Sequence, residues 1–310
     1  MTNTNFEKDI LKGLKSEPKQ LSSKYFYDEK GSEIFQEIMQ MDSYYLPGCE
    51  TEILTKKSQE IIALLPNTTY DVVELGAGDG TKTAIFLDAL LKSEKKINYL
   101  PLDISPEILE VNKKFLIEKF PDLNVLPIAG DYFETLEKIK PRKNPKIVLF
   151  LGSNIGNFEG EKAVAFLQFV RQYLGEGDLF LLGADLKKHP HTILMAYDDP
   201  EGITKRFNLN LLHRINKELK GSFVLENFDH FASYDPLSGT TKSFLISKVK
   251  QNAQVAGQTI AFERDEPVHM EISQKYNITD LVQLRENAGF KTDHHFTDSQ
   301  RYFSISLFAY

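Results

Sequence analysis

The stretch "TTYDVVELGAGDGTKTAIFLDALL", residues 68–91, reads as a buried strand, a glycine turn and a helix in direct succession. Its apolar run ends near Glu74, the turn carries Gly76, Gly78 and Gly80, and helical spacing of apolar residues begins near Lys82. Glycine lets a backbone turn sharply and approach a ligand closely. A lone GxGxG is also an ordinary tight turn, so its meaning depends on its neighbours.

Those neighbours repeat the unit. "INYLPLDIS" precedes the helix "PEILEVNKKFLIEKF", "LNVLPIAGDYF" follows, "KIVLFLGSNIGNF" precedes "EKAVAFLQFVRQYL", and "GDLFLLGADL" closes the series. Five strand candidates alternating with helices predict a parallel sheet covered on both faces. A helix, "ITDLVQLRENAGF", and two strands, "KTDHHFT" and "RYFSISLFAY", are expected to end the chain as a helix and an antiparallel hairpin. Apolar spacing over residues 51–65 predicts one further helix.

Residues 187–275 break the rhythm and are too many for a loop. They hold a helix-rich half, "HTILMAYDDPEGITKRFNLNLLHRINKEL", then strand-like runs near "FDHFASYD", "TTKSFLISKV", "QTIAFERDE" and "HMEISQKY". The expected organisation is an α/β domain over 49–186 and 276–310, and a second α+β lobe over 1–48 and 187–275.

Open parallel sheets bind ligands at the carboxyl ends of their strands. Asp103 stands at such an end, where a carboxylate accepts both hydroxyls of a ribose, and Asp131 and Tyr132 stand at the next, placed to meet an adenine. These features predict a nucleoside site. A dinucleotide favours GxGxxG and a helix N-terminus free for pyrophosphate. The turn here is GxGxG, and a closing helix and antiparallel pair suit S-adenosylmethionine, which has no phosphates.

The chain of 310 residues carries a net charge of -7 and a pI near 5.6, which argues against binding a nucleic-acid backbone. Cys49 is the only cysteine, so neither an internal disulfide nor a thiolate metal cluster can form. The first twenty residues lack the apolar core of a signal peptide, and no run of about 18 apolar residues occurs. A cytoplasmic monomer without a membrane span is expected.

In "HMEISQKYN", residues 269–277, Glu271 and Ser273 stand two apart in a strand pattern and would share a side. That pair suits a solvent face as well as a pocket. Tyr27 and Tyr44 lie in an aromatic-rich stretch where packing competes with chemistry, Asn157 suits a helix cap, and Tyr197 suits a turn ahead of a helix. His294 and His295 are adjacent on a strand and so point to opposite faces, against a shared metal.

Taken together, "YFYDEKGSEIFQEIMQMDSYYLP", "ELGAGDGTKT", "LDIS", "GDYF", "LGSNIGNF", "AYDDPEGITKRFN" and "EISQKY" resemble, in order, the motifs of the histidine-specific α-N-methyltransferases that make hercynine on the way to ergothioneine. The resemblance runs from about Leu21 to the C-terminus. It implies a class I methyltransferase fold, a Rossmann-like doubly wound sheet with an antiparallel C-terminal strand, plus a substrate-binding lobe. It implies that Tyr27, Gly76, Lys82, Asp103, Asp131 and Tyr132 bind S-adenosylmethionine, and that Tyr44, Gly152, Asn157, Tyr197, Glu271 and Ser273 bind L-histidine. The counterparts of Asn157 and Tyr197 hold the amino acid's carboxylate and amine, and those of Glu271 and Ser273 the imidazole.

A neutral imidazole has one donor and one acceptor nitrogen, which matches a carboxylate and a hydroxyl. Tyr44 is expected beside the amine as a hydrogen-bond orienter and proton relay. No metal is required. Family members often carry a methionine near the ring, where this chain places Ser243 or Phe244, leaving as alternatives another amino acid or amine such as a tryptophan derivative, or a cofactor-binding protein without turnover.

Overall fold

The computed structural model describes residues 3–310 apart from 67, 141 and 292. Clustering of the chain separates a first unit, the segment up to Tyr45 with Lys188–Ser273, from a second, Leu46–Lys187 with Gln274–Tyr310. The first begins with α1 (Asn3–Leu14) and α2 (Glu29–Met39). The second then runs α3 (Leu46–Ala63), β1 (Thr69–Leu75), α4 (Thr83–Lys92), β2 (Lys96–Asp103), α5 (Pro106–Lys119), β3 (Asn124–Val125), β4 (Ile128–Ala129), α6 (Tyr132–Ile139), β5 (Lys146–Phe150), α7 (Glu161–Arg171) and β6 (Leu179–Asp185). The chain returns to the first unit for α8 (Pro190–Tyr197), α9 (Ile203–Glu218), β7 (Phe228–Asp235), β8 (Thr240–Ser247), β9 (Gln251–Val255), β10 (Gln258–Phe262) and β11 (Pro267–Gln274). It ends in the second with α10 (Ile278–Ala288), β12 (Asp293–Thr297) and β13 (Phe303–Ala309).

The second unit is built on a sheet of order β12-β13-β6-β5-β1-β2-β3, with β4 also on β2. β1, β2, β5 and β6 pair in parallel, and β13 lies antiparallel to both β6 and β12. A parallel sheet covered on both faces needs continuously apolar strands. Accordingly β5 and β6 are buried along their whole length, and β1 from Tyr70 onward. Val73, Leu100, Val148 and Phe180 lie in its core. β2 extends the sheet on one side of β1 and β5 on the other, so the ends of β1 and β5 flank the position where such sheets bind ligands.

Two details of the second unit's strands and helices depart from the expected bounds. The third strand is not continuous but splits into β3 and β4 around Pro127, which has no N–H to donate to a ladder. Helix α3 begins at Leu46, ahead of the expected residue 51, because Pro47 falls in the first turn, where its missing N–H costs nothing. Ser105 caps α5 by accepting from Ile108 N–H at 3.2 Å, and Asn277 and Asp280 form a capping box on α10.

In the first unit, Phe6, Ile10 and Leu14 of α1 pack with Ile34 and Ile38 of α2 and with Phe207, Leu211 and Ile215 of α9. Those spacings of four residues are single helix faces. A three-stranded sheet of order β11-β8-β7 accompanies them, and β8 alternates buried and half-buried residues. β9 was not expected: only Ala253 and Val255 are buried among polar neighbours, too few to register as a pattern. Its hairpin with β10 turns through Ala256 and Gly257, both at positive φ.

Candidate active site

Gly76 and Gly80 have φ of +73° and +76°. A Cβ on Gly76 would meet the Tyr132 hydroxyl at 2.9 Å, and one on Gly80 the Asn112 amide nitrogen at 2.7 Å, so glycine is required by space as well as conformation. Asn112, fully buried on α5, donates to Gly78 O at 3.0 Å and holds the turn from the neighbouring helix. Asp103 at the tip of β2 accepts from Gly78 N–H at 3.1 Å and from Ser105 N–H at 3.0 Å, one bond to each oxygen. Burial raises its pKa above the ordinary value, opposed by these N–H donors.

Asp131 caps α6, accepting from Phe133 N–H at 2.8 Å. The Tyr132 ring packs edge-on against Phe150 at 5.8 Å, and burial pushes its phenol pKa up. Gly76, Asp103 and Tyr132 all lie in the second unit, with Asp103 bonded to the glycine turn at Gly78 and the Tyr132 hydroxyl beside Gly76.

Beneath the turn, Glu74 accepts from Thr83 Oγ1 at 2.6 Å and from the Tyr99 hydroxyl. Burial pushes its pKa from 4.5 up to about 7. Between those values the native state holds a proton that the unfolded chain has lost, so this contribution to stability is complete below the window and is lost as pH rises through it. Glu74→Gln, which mimics the protonated acid, should remove that dependence. Thermal melts from pH 5 to 8 should show wild type losing on the order of 3 kcal/mol relative to the variant; parallel curves would contradict it.

Lys82 stands at the N-terminal boundary of α4 without a side-chain capping bond, its ammonium paired with Glu50 of α3. Glu50 Oε1 also accepts the Gly152 N–H at 2.8 Å. Gly152 and Ser153 both have positive φ, +71° and +60°, and Ser153 Oγ accepts from Asp185 N–H at 2.9 Å. Asn157 ends the short 3-10 turn Asn154–Asn157 and is exposed. It does not cap α7, whose cap is Gly160. Sequence reasoning missed both Glu50 and Asn112.

In the first unit, Tyr197 ends α8, and its hydroxyl donates to Ser273 Oγ at 2.9 Å. The Tyr44 ring meets it edge-on at 6.4 Å. His230 Nε2 lies 2.8 Å from the Tyr197 carbonyl oxygen, which only accepts, so Nε2 carries the proton. The segment after Tyr197 is indeed a helix start: Asp199 accepts from Ile203 N–H at 2.7 Å and Thr204 N–H at 2.8 Å. Glu271 is half-buried on β11 and Ser273 is buried, but burial departs from strict alternation there, passing from Val268 and Met270 to Ser273. Of the two residues expected near a ring, Ser243 pairs with Ala232, which packs with Tyr197, while Phe244 pairs with Phe231 and packs on His269 at 5.5 Å. Tyr27 is exposed, edge-on to Phe35 and Phe207, and lies in the first unit, whereas the rest of the expected cofactor set lies in the second. Gly152 and Asn157 likewise lie in the second unit, apart in sequence from Tyr44, Tyr197, Glu271 and Ser273 in the first.

A family model described as "Histidine-specific methyltransferase, SAM-dependent" matches residues 6–310. A histidine N-alpha-methyltransferase of Mycolicibacterium smegmatis is 34% identical over 302 residues, covering 97% of this chain and 93% of that protein. One of Mycobacterium tuberculosis is 32% identical, with 97% and 94% covered. Ergothioneine biosynthesis protein 1 of Neurospora crassa is 30% identical over 93% of this chain, which spans 33% of that longer protein.

Proposed function

Because the chain belongs to the histidine-specific, S-adenosylmethionine-dependent methyltransferase family, we propose that it methylates the α-amine of L-histidine three times, giving hercynine, a step of ergothioneine biosynthesis. The observation that carries this reading is the extent of the family match, which spans both units rather than the glycine turn alone.

When bound, S-adenosylmethionine supplies an electrophilic methyl group on a sulfonium. The chain's own groups suit it: Asp103 offers two carboxylate oxygens to a ribose, Asp131 and Tyr132 serve the adenine, and Gly76, Lys82 and Tyr27 complete the set. Asp103→Ala should weaken cofactor binding by roughly 10- to 100-fold, the loss of charge-assisted hydrogen bonds, with histidine affinity unchanged. Calorimetric titration checks this, and an unaltered cofactor affinity would remove Asp103 from the role.

Glu271 takes the imidazole N–H. Ser273, which accepts from Tyr197, gives its own O–H to the other ring nitrogen. Asn157 and Tyr197 serve the carboxylate and amine, and Gly152 belongs to the same substrate set. In-line displacement mainly needs the amine lone pair aligned and water excluded. Tyr44 orients the amine and relays the proton it loses before each attack, and aromatic faces favour the quaternary product by about 0.5–2 kcal/mol.

Among the described residues no helix is long and apolar enough to cross a membrane; we take the working form to be a cytoplasmic monomer that binds no nucleic acid. Mass and NMR analysis of the product from L-histidine tests the reaction. Three methyl groups on the α-nitrogen are expected, and methylation of a ring nitrogen would contradict it.

A further inference from the structure

We propose that Glu50 is a positioning residue for methyl transfer, a single buried carboxylate that sets both the Lys82 ammonium and the Gly152 N–H. The inference rests on the cofactor role given to Lys82 and the substrate role given to Gly152 above. Glu50 is 1% exposed, and carboxylates so deeply buried persist only when paired. One oxygen accepts from Gly152, in the loop after β5, and the carboxylate also pairs with Lys82, at the start of the helix after the glycine turn. These two loops flank the point where the strand order reverses.

A second, independent observation is the space made for the carboxylate. Gly183 lies in β6, between the apolar run Leu179–Leu182 and Ala184, and has no positive φ to explain it. A Cβ there would stand 2.6 Å from Glu50 Oε1 and 3.0 Å from Leu151 Cα. The strand omits a side chain where the carboxylate is seated. Glu50 therefore restrains a cation meant for one ligand and a backbone donor beside the other, and its two oxygens separate the two functions.

Glutamine keeps an oxygen for Gly152 N–H but presents no charge to Lys82, whereas alanine removes both contacts. Glu50→Gln should raise the cofactor Kd about tenfold while leaving the histidine KM within about twofold, and Glu50→Ala should raise both. In a Lys82→Met background, Glu50→Gln should add little to the loss of cofactor affinity, the non-additivity expected of a residue acting through its partner. Cofactor and histidine titrations, with melting temperatures alongside, read these outcomes. If Lys82→Met weakens cofactor binding but Glu50→Gln and Glu50→Ala bind both ligands as wild type does, with only melting lowered, Glu50 is structural and the inference is overturned. If Lys82→Met itself leaves cofactor affinity intact, the role assigned to Lys82 fails first, and the inference with it.

Discussion

Glu271→Ala is expected to lower the affinity for L-histidine by about a thousandfold while leaving cofactor affinity within about twofold. Truncating one partner of a buried charged hydrogen bond costs about 2–5 kcal/mol, much of it the penalty of leaving the other partner unmatched. On the proposed assignment the stranded partner is the imidazole N–H. The same logic makes a site built for polar atoms reject an analogue lacking them by roughly 10⁴-fold, so the wild-type chain should bind phenylalanine or leucine very poorly. Glu271→Gln retains an acceptor without the charge and should fall between alanine and wild type. Paired titrations of histidine and cofactor decide the matter. Equal losses in both would mean that Glu271 supports the fold rather than the ring.

Lys275→Met is expected to destabilise the protein by about 3–5 kcal/mol, the usual cost of leaving one member of a buried ion pair uncompensated. Lys275 and Asp185 are both fully buried and lie 2.8 Å apart. They stand where the chain leaves the sheet after β6 and where it comes back. Tyr276 N–H donates to Asp185 O at 3.0 Å, and Lys187 N–H to Tyr276 O at 2.9 Å, so the outgoing and returning segments are laced side by side. Melting should fall on the order of 10 °C. Replacing both residues with apolar ones of similar volume should recover most of the loss, since the pair's attraction largely offsets its desolvation. A double variant less stable than Lys275→Met would show that the pair contributes more than mutual compensation.

Strands β1, β5 and β6 were legible because a sheet buried on both faces demands uninterrupted apolar runs. Asp103 was legible from its place at a strand tip. Pro127 is visible too, and its missing N–H divides the third strand. Glu50 lies on the apolar face of its helix with Leu46, Ile53 and Leu54, a place that implies burial without showing what the carboxylate meets. The room left for its carboxylate at Gly183 lies far along the chain. Asn112 was hidden for a related reason, since its amide is useful only once α5 lies against the glycine turn. The link from Tyr197 to Ser273 joins residues 76 apart in sequence, and neither position announces the other. Local chemistry can be read from a chain, whereas contacts made by folding require the fold.

Supplying labelled S-adenosylmethionine with each of the twenty amino acids in turn tests substrate and reaction together. L-histidine should take up label rapidly and the others negligibly. Label on another amino acid with none on histidine would contradict the assignment.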